Sequence, residues 1–506
     1  MAEFKRVLVS NRGEIALRVI RALKILAIES VAVYSDADVS ALHVRAADKS
    51  YNLPGVYASD TYLNAEKILE IAKKADCDAI HPGYGFLAEN DGFSRLCKGN
   101  SIKFIGPKPE TLEISGNKLK CKNLVESKKV PVVPYTKEPV EDPETAAKLA
   151  NEIGFPVLLK SAFGGGGRGI KEATSKEQVK ESFESSEREA KSAFGRFAIF
   201  IEKRIVRPRH IEIQILANDS SSEAIHLGER DCSIQRRYQK LIEVSPSPIV
   251  TEEERRLVSG YAIKAAKAVR YSNAGTVEFL RDQEGNYYFM EVNSRLQVEH
   301  PVTEAVTGVD IVANQIQIAK RKSGSLQIRQ KDVEFKGSAI ECRINAEDPL
   351  SGFIPLTGTI DSFHLPGGPR VRVDSALYPG MQVSPYYDSL IAKLIVWGTD
   401  FRQSRERTAA ALNEFEISGV KTTIGFHREV VRDENFSKGK MDTSFVESNR
   451  IIEKMRSAEM NEAKFLAAAL LFSKRGRTED RLTELQKKNI RIIRDGSEEG
   501  RFIDGL

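Results

Sequence analysis

Apolar and polar positions in the first hundred residues alternate in a pattern that predicts a parallel α/β domain. Four short apolar runs have the character of buried strands, at 5–10, 31–35, 78–81 and 102–105. Between them, apolar residues recur with helical spacing at 15–23, 40–47, 62–75 and 88–97. Alternating strands and helices are typical of a doubly wound sheet, whose ligands bind at the carboxyl ends of the strands. Because no GxGxxG motif follows the first strand, we do not predict a dinucleotide site there.

A glycine-rich segment follows an apolar strand farther along the chain. Residues 155–160 predict a strand that ends on Lys160 and leads into four consecutive glycines at 164–167. Glycines let backbone N–H groups approach phosphate oxygens closely. The GxxxxGK[ST] arrangement and its following helix are absent, so we interpret the segment as a hinged phosphate lid, with a flexible linker as the alternative.

A predicted β-hairpin carries three oxygen ligands. Residues 287–293 alternate with period two, so Glu291 and Asn293 point to one side of a strand. Glu278 lies on a second short strand, and residues 282–286 predict the turn between them. If the strands pair, two carboxylates and an amide oxygen meet in one cleft, where they suit Mg²⁺ that also holds nucleotide phosphates. The alternative for any single glutamate is a solvated hairpin.

Three further polar residues follow this hairpin directly: Arg295, Gln297 and Glu299. A guanidinium presents a planar donor fork that fits a small planar oxyanion such as bicarbonate. A carboxylate beside such an anion can serve as a general base.

Other polar segments leave structural and functional interpretations open. His210 lies in an alternating strand and is as well explained by a structural role as by a ligand contact. Residues 229–240 concentrate four cations in a predicted loop, which forms either a solvated face or one wall of an anion site. Lys118, taken alone, is typical of a solvated surface.

The C-terminal half has a different pattern. After a predicted helix at 308–321, residues 333–396 are rich in β signals and predict a separate, mostly antiparallel β unit. Four helices are predicted after it, at 401–416, 425–432, 453–472 and 478–488. The charged stretch from about 447 suggests no function by itself.

Composition narrows the class of protein. The chain has 506 residues, enough for about three or four domains. A net charge of +5 without a dense Lys/Arg block predicts no nucleic-acid partner. The five cysteines are never spaced CxxC, which favours reduced cytosolic thiols over zinc or disulfides. The longest apolar run, 465–472, is too short for a bilayer, so we predict a cytoplasmic protein without a membrane partner.

Seven stretches together resemble the biotin carboxylase component of biotin-dependent carboxylases, in the ATP-grasp superfamily. They are Ser10–Ala16, Ala79–Asn90, Phe104–Pro107, Gly164–Gly169, Glu229–Arg237, Glu291–Glu304 and Glu341–Pro349. The similarity covers about residues 4–445 in unbroken order. It implies an α/β fold of four parts: a Rossmann-like N-terminal domain (1–113), an ATP-grasp domain (114–330) with a mobile lid at about 131–205, a mostly antiparallel β domain (331–446) and a helical tail (447–506).

The resemblance also implies roles for individual residues. Those that would bind ATP are Lys118, Lys160, Gly166, Gly167, Glu202, Lys203, Ile205, His210, Gln235 and Tyr238. Glu278, Glu291 and Asn293 would hold Mg²⁺ or Mn²⁺. Bicarbonate would contact Lys240, Arg295 and Val298, with Gln297 beside them, while Glu299 would deprotonate it and Arg343 would steady the biotin enolate. Tyr238 departs from the family, which commonly has a histidine there; a phenol still donates a hydrogen bond but is not cationic.

The implied reaction has two steps. Bicarbonate attacks the γ-phosphate of MgATP to give carboxyphosphate, whose breakdown delivers CO₂ to N1 of biotin. Because no Met-Lys-Met-type acceptor follows residue 450, we expect biotin on a separate carrier protein and a separate carboxyltransferase subunit, with the chain a homodimer in a larger complex. General resemblance favours an acetyl-CoA or propionyl-CoA carboxylase. The alternatives are the ATP-binding subunit of a pyruvate carboxylase, another ligase that forms carboxyphosphate or carbamoyl phosphate, and a non-catalytic nucleotide-binding scaffold.

Overall fold

The computed structural model describes residues 4–163, 170–194, 198–218, 220, 222–320 and 326–475. The predicted glycine lid at 164–169, with Gly166 and Gly167, lies outside the described residues. So does the helix predicted at 478–488.

The N-terminal region is the parallel α/β domain that the pattern predicts. Its strands are β1 Arg6–Val9, β2 Glu29–Ser35, β3 Lys49–Leu53, β4 Ala79–His81 and β5 Lys103–Phe104, in the order β3-β2-β1-β4-β5. Its helices are α1 Gly13–Ile25, α2 Leu42–Ala46, α3 Ala65–Lys74 and α4 Asp91–Gly99. The sequence did not predict β3, because this edge strand buries only Leu53 and so lacks an apolar run.

A small subdomain follows two helices, within the range where a mobile lid is expected, and we call it the lid subdomain. The helices are α5 Pro109–Gly116 and α6 Lys118–Glu126. The subdomain consists of α7 Pro143–Ile153, β6 Val157–Ser161, β7 Ile170–Ala173, α8 Lys176–Phe194 and β8 Ile199–Lys203. Its three strands form an antiparallel sheet in the order β7-β6-β8. Val157, Leu159 and Ile201 pack with Phe183 of α8 in an apolar core of their own.

The strands of the central region confirm the predicted hairpin. They are β9 Arg209–Asn218, β10 Glu223–Arg236, β11 Gln239–Ser245, β12 Asn273–Arg281 and β13 Tyr287–Asn293. The accompanying helices are α9 Glu252–Ala268, α10 His300–Thr307 and α11 Ile311–Lys320. Strands β12 and β13 pair antiparallel, so the turn at 282–286 lies where the sequence places it.

The expected loop at 229–240 is wrong. Residues up to Arg236 continue β10, and only Arg237 and Tyr238 form a two-residue turn. Both have positive φ (47° and 66°), as tight hairpin turns of this kind require. The four cations of this segment differ in burial: Arg230 is 0% exposed and pairs with Glu212, Arg236 and Lys240 are partly buried, and Arg237 is exposed.

The C-terminal region is antiparallel, as predicted, but it is not a separate unit. Its strands are β14 Ser338–Asn345, β15 Glu347–Asp348, β16 Ile354–Pro355, β17 Gly358–Thr359, β18 Phe363–His364, β19 Val371–Ser375, β20 Gln382–Val383, β21 Leu390–Gly398 and β22 Glu416–Ile417. Strand β14 pairs with β11, so one eight-stranded sheet runs in the order β13-β12-β9-β10-β11-β14-β21-β19. Ile242 and Ile340 from the two paired strands belong to one apolar core, which explains why the ladder continues.

The remaining helices lie near or beyond the predicted ones. They are α12 Phe401–Glu414, α13 Ile424–Arg432, α14 Glu434–Ser437, α15 Phe445–Ser448 and α16 Ile451–Arg475. The first turns of α16 bury Ile451 and Met455 in the core of the C-terminal region, whereas Met460 and Leu466 are exposed. Of the helices that the structure describes, none has the length and apolar character needed to cross a membrane.

Candidate active site

The β12–β13 hairpin brings the predicted metal ligands together. Glu278 lies directly opposite Glu291, and all three predicted ligands, including Asn293, are buried or largely buried. Lys118 Nζ is 2.8 Å from Glu291 Oε2. Although burial opposes the charge, Lys118 lowers the pKa of Glu291 to about 2, and Lys240 and His210 do the same for Glu278. The cleft therefore holds two anionic carboxylates that already attract positive charge.

Lys240 stands at the junction of three carboxylates. Its Nζ lies 2.5 Å from Glu212, 2.8 Å from Glu278 and 2.7 Å from Glu299. Burial opposes its charge, yet these carboxylates raise the pKa of Lys240 well above its usual value. The lysine is therefore a permanent cation between the β12–β13 hairpin and the candidate base Glu299.

Sequence reasoning missed Glu212. Strand β9 alternates with period two, and His210 and Glu212 share one face with Gln214. His210 Nε2 is 3.1 Å from Glu278 Oε2. The polar face of β9 is the sequence signal that could have indicated Glu212. The contact with Glu278 places His210 within the candidate site.

Glu299 lies between two cations. It is 0% exposed, and its two oxygens are 2.7 Å from Lys240 Nζ and 2.9 Å from a guanidinium nitrogen of Arg343. Burial and the neighbouring Glu212 oppose its charge, but Lys240 and Arg343 outweigh them and lower the pKa of Glu299. The residue is therefore an anion at neutral pH, as a general base must be.

Arg343 also holds a carboxylate that the sequence did not indicate. Its guanidinium is 2.6 Å from Glu243 Oε1, a fully buried residue of β11. Burial, opposed by Arg343, raises the pKa of Glu243 to about 7. The guanidinium thus bridges the candidate base and a carboxyl group that titrates near neutrality.

The segment after β13 is fixed by both neighbouring domains. Arg295 Nε donates to Glu89 at 2.9 Å, and another of its nitrogens donates to Gln297 at 2.9 Å. Gln297 Nε2 lies 3.4 Å from Glu278 Oε1, beside the β12–β13 hairpin. The carbonyl oxygen of Val298 accepts a hydrogen bond of 3.0 Å from Lys393, a fully buried lysine of β21. Arg295 keeps part of its surface open to an incoming anion.

Glu202 is the centre of the predicted nucleotide contacts. This buried carboxylate of β8 forms ion pairs with Lys160 and with Lys122. The two lysines outweigh burial and lower the pKa of Glu202 to about 2. Lys203 donates to the carbonyls of Gly154 (2.9 Å) and Phe155 (2.6 Å), which ties β8 to the loop between α7 and β6.

Three further residues are predicted to bind the nucleotide: Ile205, Gln235 and Tyr238. Ile205 follows β8 and is half-buried. Gln235 is buried on β10, opposite Lys240. Tyr238 occupies the tight turn and is 51% exposed, and burial of the remainder raises the pKa of its phenol. At neutral pH Tyr238 therefore offers a neutral hydroxyl, not a cation.

Three family models match successive parts of the chain. They are "Biotin carboxylase, N-terminal domain" over residues 3–112, "Carbamoyl-phosphate synthase L chain, ATP binding domain" over 117–326 and "Biotin carboxylase C-terminal domain" over 341–448. Together they account for the N-terminal domain, the lid and the continuous sheet.

Individual proteins are similar to the chain over the same range. The chain is 49% identical over 447 residues to a pyruvate carboxylase subunit of Methanothermobacter thermautotrophicus, covering 88% of this chain and 90% of that one. It is 49% identical over 445 residues to biotin carboxylase 1 of Bacillus subtilis (88% and 98%). Among solved structures, the biotin carboxylase domain dimer of Hydrogenobacter thermophilus 2-oxoglutarate carboxylase, in complex with MgADP, ADP and bicarbonate, superposes with a TM-score of 0.87 at 49% identity, covering 89% of this chain and 99% of that one.

Proposed function

The chain belongs to the biotin carboxylase family of ATP-grasp ligases, and on that premise we propose that it carboxylates biotin on a separate carrier protein. The substrates are MgATP and bicarbonate, and carboxyphosphate is the intermediate. The observation that carries the proposal is the convergence of Lys240 and Arg343 on Glu299, next to the carboxylate hairpin. The predicted domains, divided at 113/114, 330/331 and 446/447, are part of the proposal. The matched ranges support the first two divisions, whereas the third matched range ends at residue 448.

The hairpin suits a divalent cation. Glu278, Glu291 and Asn293 supply hard oxygen donors from two adjacent strands, and Lys118 and Lys240 supply the positive charge in the structure. Mg²⁺, or Mn²⁺, bound there would neutralise charge on the phosphates of ATP. The cation would release Lys118 from Glu291 to pair with phosphate oxygens. Lys160, which pairs with Glu202 in the structure, would turn to the phosphates as well, together with His210 and the backbone at Gly166 and Gly167.

Bicarbonate binds in this proposal between Arg295, Lys240 and the backbone of Val298, with Gln297 beside it. Glu299 accepts the bicarbonate proton, and the deprotonated oxygen forms a bond to the γ-phosphorus while ADP leaves. Carboxyphosphate then breaks down to CO₂ and phosphate, and the phosphate takes the proton from N1 of biotin. Arg343 stabilises the negative charge that this proton transfer places on the ureido oxygen, until N1 forms its bond to CO₂. Because Arg343 also holds Glu299, one guanidinium takes part in both steps of the reaction.

The decisive experiment measures bicarbonate-dependent ATP hydrolysis with and without free biotin. We expect biotin to stimulate hydrolysis, and we expect Arg343→Met to abolish that stimulation. The matched control is Arg329→Met, which removes a guanidinium from an exposed pair with Asp332. Hydrolysis that is indifferent to biotin would indicate another carboxyphosphate-forming ligase. Nucleotide binding without hydrolysis would indicate a scaffold.

For the final carboxyl acceptor we propose acetyl-CoA or propionyl-CoA, on overall resemblance of the sequence. The similarity to a pyruvate carboxylase subunit supports pyruvate as a second candidate. The test combines the chain with its carrier and carboxyltransferase partners and follows labelled bicarbonate into acetyl-CoA, propionyl-CoA, pyruvate and 2-oxoglutarate. Label in a 2-oxo acid alone would reject the acyl-CoA assignment. A homodimer, proposed by analogy with the Hydrogenobacter domain dimer, is tested by light scattering.

A further inference from the structure

The proposed function gives Lys122 no role, although its position relates it to the nucleotide residues. Lys118 and Lys122 lie four residues apart on α6 and therefore on one face of the helix. Lys118 forms an ion pair with Glu291 on the β12–β13 hairpin, and Lys122 forms one with Glu202 on β8. One helix thus supplies a cation to each of the two carboxylate groups around which ATP would bind.

Lys122 is held in place from several directions. Its side chain is 3% exposed, and its Nζ lies 5.1 Å from the ring centre of Tyr135 and 5.8 Å from that of Phe200. Cations are attracted to aromatic faces at such distances. Burial, followed by the repulsion of Lys160, lowers the pKa of Lys122 although Glu202 opposes the change. A lysine buried at such a cost is not an ordinary surface residue.

Glu202 has one more cation than its charge requires. Lys160 and Lys122 both pair with it, from β6 of the lid and from α6 outside the lid subdomain. Lys160 lies at the end of the strand that leads to the glycine-rich segment, and in the proposed function it turns to the phosphates of ATP. If Lys160 were the sole partner, that turn would leave a buried carboxylate without a cation, which would then bind a proton or move.

Resting on that proposed function, we propose that Lys122 is a positioning residue for the nucleotide. It is the fixed counter-ion that keeps Glu202 charged and in place when Lys160 moves to the phosphates. Glu202 then remains a rigid acceptor for the N–H and O–H donors of the nucleoside. Lys160 exchanges its partner, from the Glu202 carboxylate to phosphate, whereas Lys122 stays paired with Glu202.

The test compares Lys122→Met with Lys120→Met, a matched control on the exposed side of the same helix. In the free protein Lys160 still neutralises Glu202, so we expect Lys122→Met to fold with a similar melting temperature. We expect its KM for ATP to rise about tenfold or more, because a buried charge loses its partner in the bound state. The KM for bicarbonate should stay near that of the unchanged protein. Lys122→Arg, which keeps the charge, should retain most of the affinity for ATP.

A double variant gives a sharper criterion. A glutamine at 202 needs no counter-ion, so adding Lys122→Met to Glu202→Gln should raise the KM for ATP no further. The inference is overturned if Lys122→Met leaves the KM for ATP unchanged, or if ATP and bicarbonate are affected equally together with a loss of melting temperature, which indicates a structural role. Calorimetric titration with ADP supplies the same comparison without turnover. The titration therefore tests this inference by nucleotide affinity alone. Failure of the proposed function would show instead as no hydrolysis of ATP by the unchanged protein.

Discussion

Replacing Glu299 by glutamine tests the proposed base with little change of shape. Glutamine keeps the volume and one acceptor oxygen, but it cannot accept a proton at neutral pH. Glu299 is fully buried between Lys240 and Arg343, so a neutral side chain there meets two cations instead of balancing them. The variant therefore separates the chemistry of the carboxylate from its contribution to the fold.

The contacts of Glu299 determine how much the variant should change the free energy of unfolding and kcat. Glutamine loses one charge-assisted hydrogen bond, which costs about 1.5–3 kcal/mol. Against this, Glu212 no longer faces a second buried carboxylate, and each cation keeps another partner: Glu212 for Lys240, and Glu243 for Arg343. We expect a net change in the free energy of unfolding below about 2 kcal/mol. Loss of the base should lower kcat about 10²–10⁴-fold, which is about 3–5 kcal/mol in the barrier.

The assay pairs bicarbonate-dependent ATP hydrolysis, with and without biotin, with thermal unfolding of the same samples. Glu113→Gln, which removes an exposed carboxylate of α5, is the surface control. Glu299→Asp keeps the charge one methylene farther back and should recover part of the rate. A kcat within about threefold of the unchanged protein, at an unchanged melting temperature, would refute the assignment of Glu299 as the base.

Three further predictions concern stability. Lys393→Met leaves Glu14 buried without its cation and should lower the free energy of unfolding by about 3–5 kcal/mol. Adding Glu14→Gln to this variant should recover most of the loss, and urea denaturation measures both variants. Three histidines are buried with pKa values lowered to about 4, 3 and 4: His43, His81 and His427. Since the unfolded chain binds their protons first, the free energy of unfolding should fall as pH decreases from 6.5 to 4; a denaturation midpoint independent of pH would contradict this. Ile451→Ala should cost about 2–5 kcal/mol, whereas Leu466→Ala on the exposed half of α16 should have no measurable effect on the melting temperature.

Local patterns were sufficient for the features that lie within one supersecondary unit. The turn at 282–286 and the period-two alternation on either side of it predicted that Glu278 and Glu291 would share a cleft, and the register confirms it. The resemblance then added Lys240 and Arg343, whose convergence on Glu299 no spacing in the sequence could reveal. Their roles in catalysis stay predictions.

The features that the sequence did not predict are buried charges and long-range strand pairs. Glu243 and Lys393 are fully buried, although charged residues are expected at the surface unless a partner is known. Glu243 meets Arg343, one hundred residues away, because β11 pairs with β14. The spacing of Lys118 and Lys122 indicates a shared helix face, but the partner of each comes only from the fold.

The ladder between β11 and β14 also decides how the chain can be divided. Because the hydrogen bonds of one sheet run from β13 to β19, the central and C-terminal regions should unfold as a single cooperative unit. A fragment that begins at residue 331 would expose the open edge of β14, and the remainder would expose that of β11; unpaired edges of this kind promote aggregation. Recombination between related carboxylases should therefore keep the crossover points outside Arg209–Gly398, so that this sheet is inherited whole.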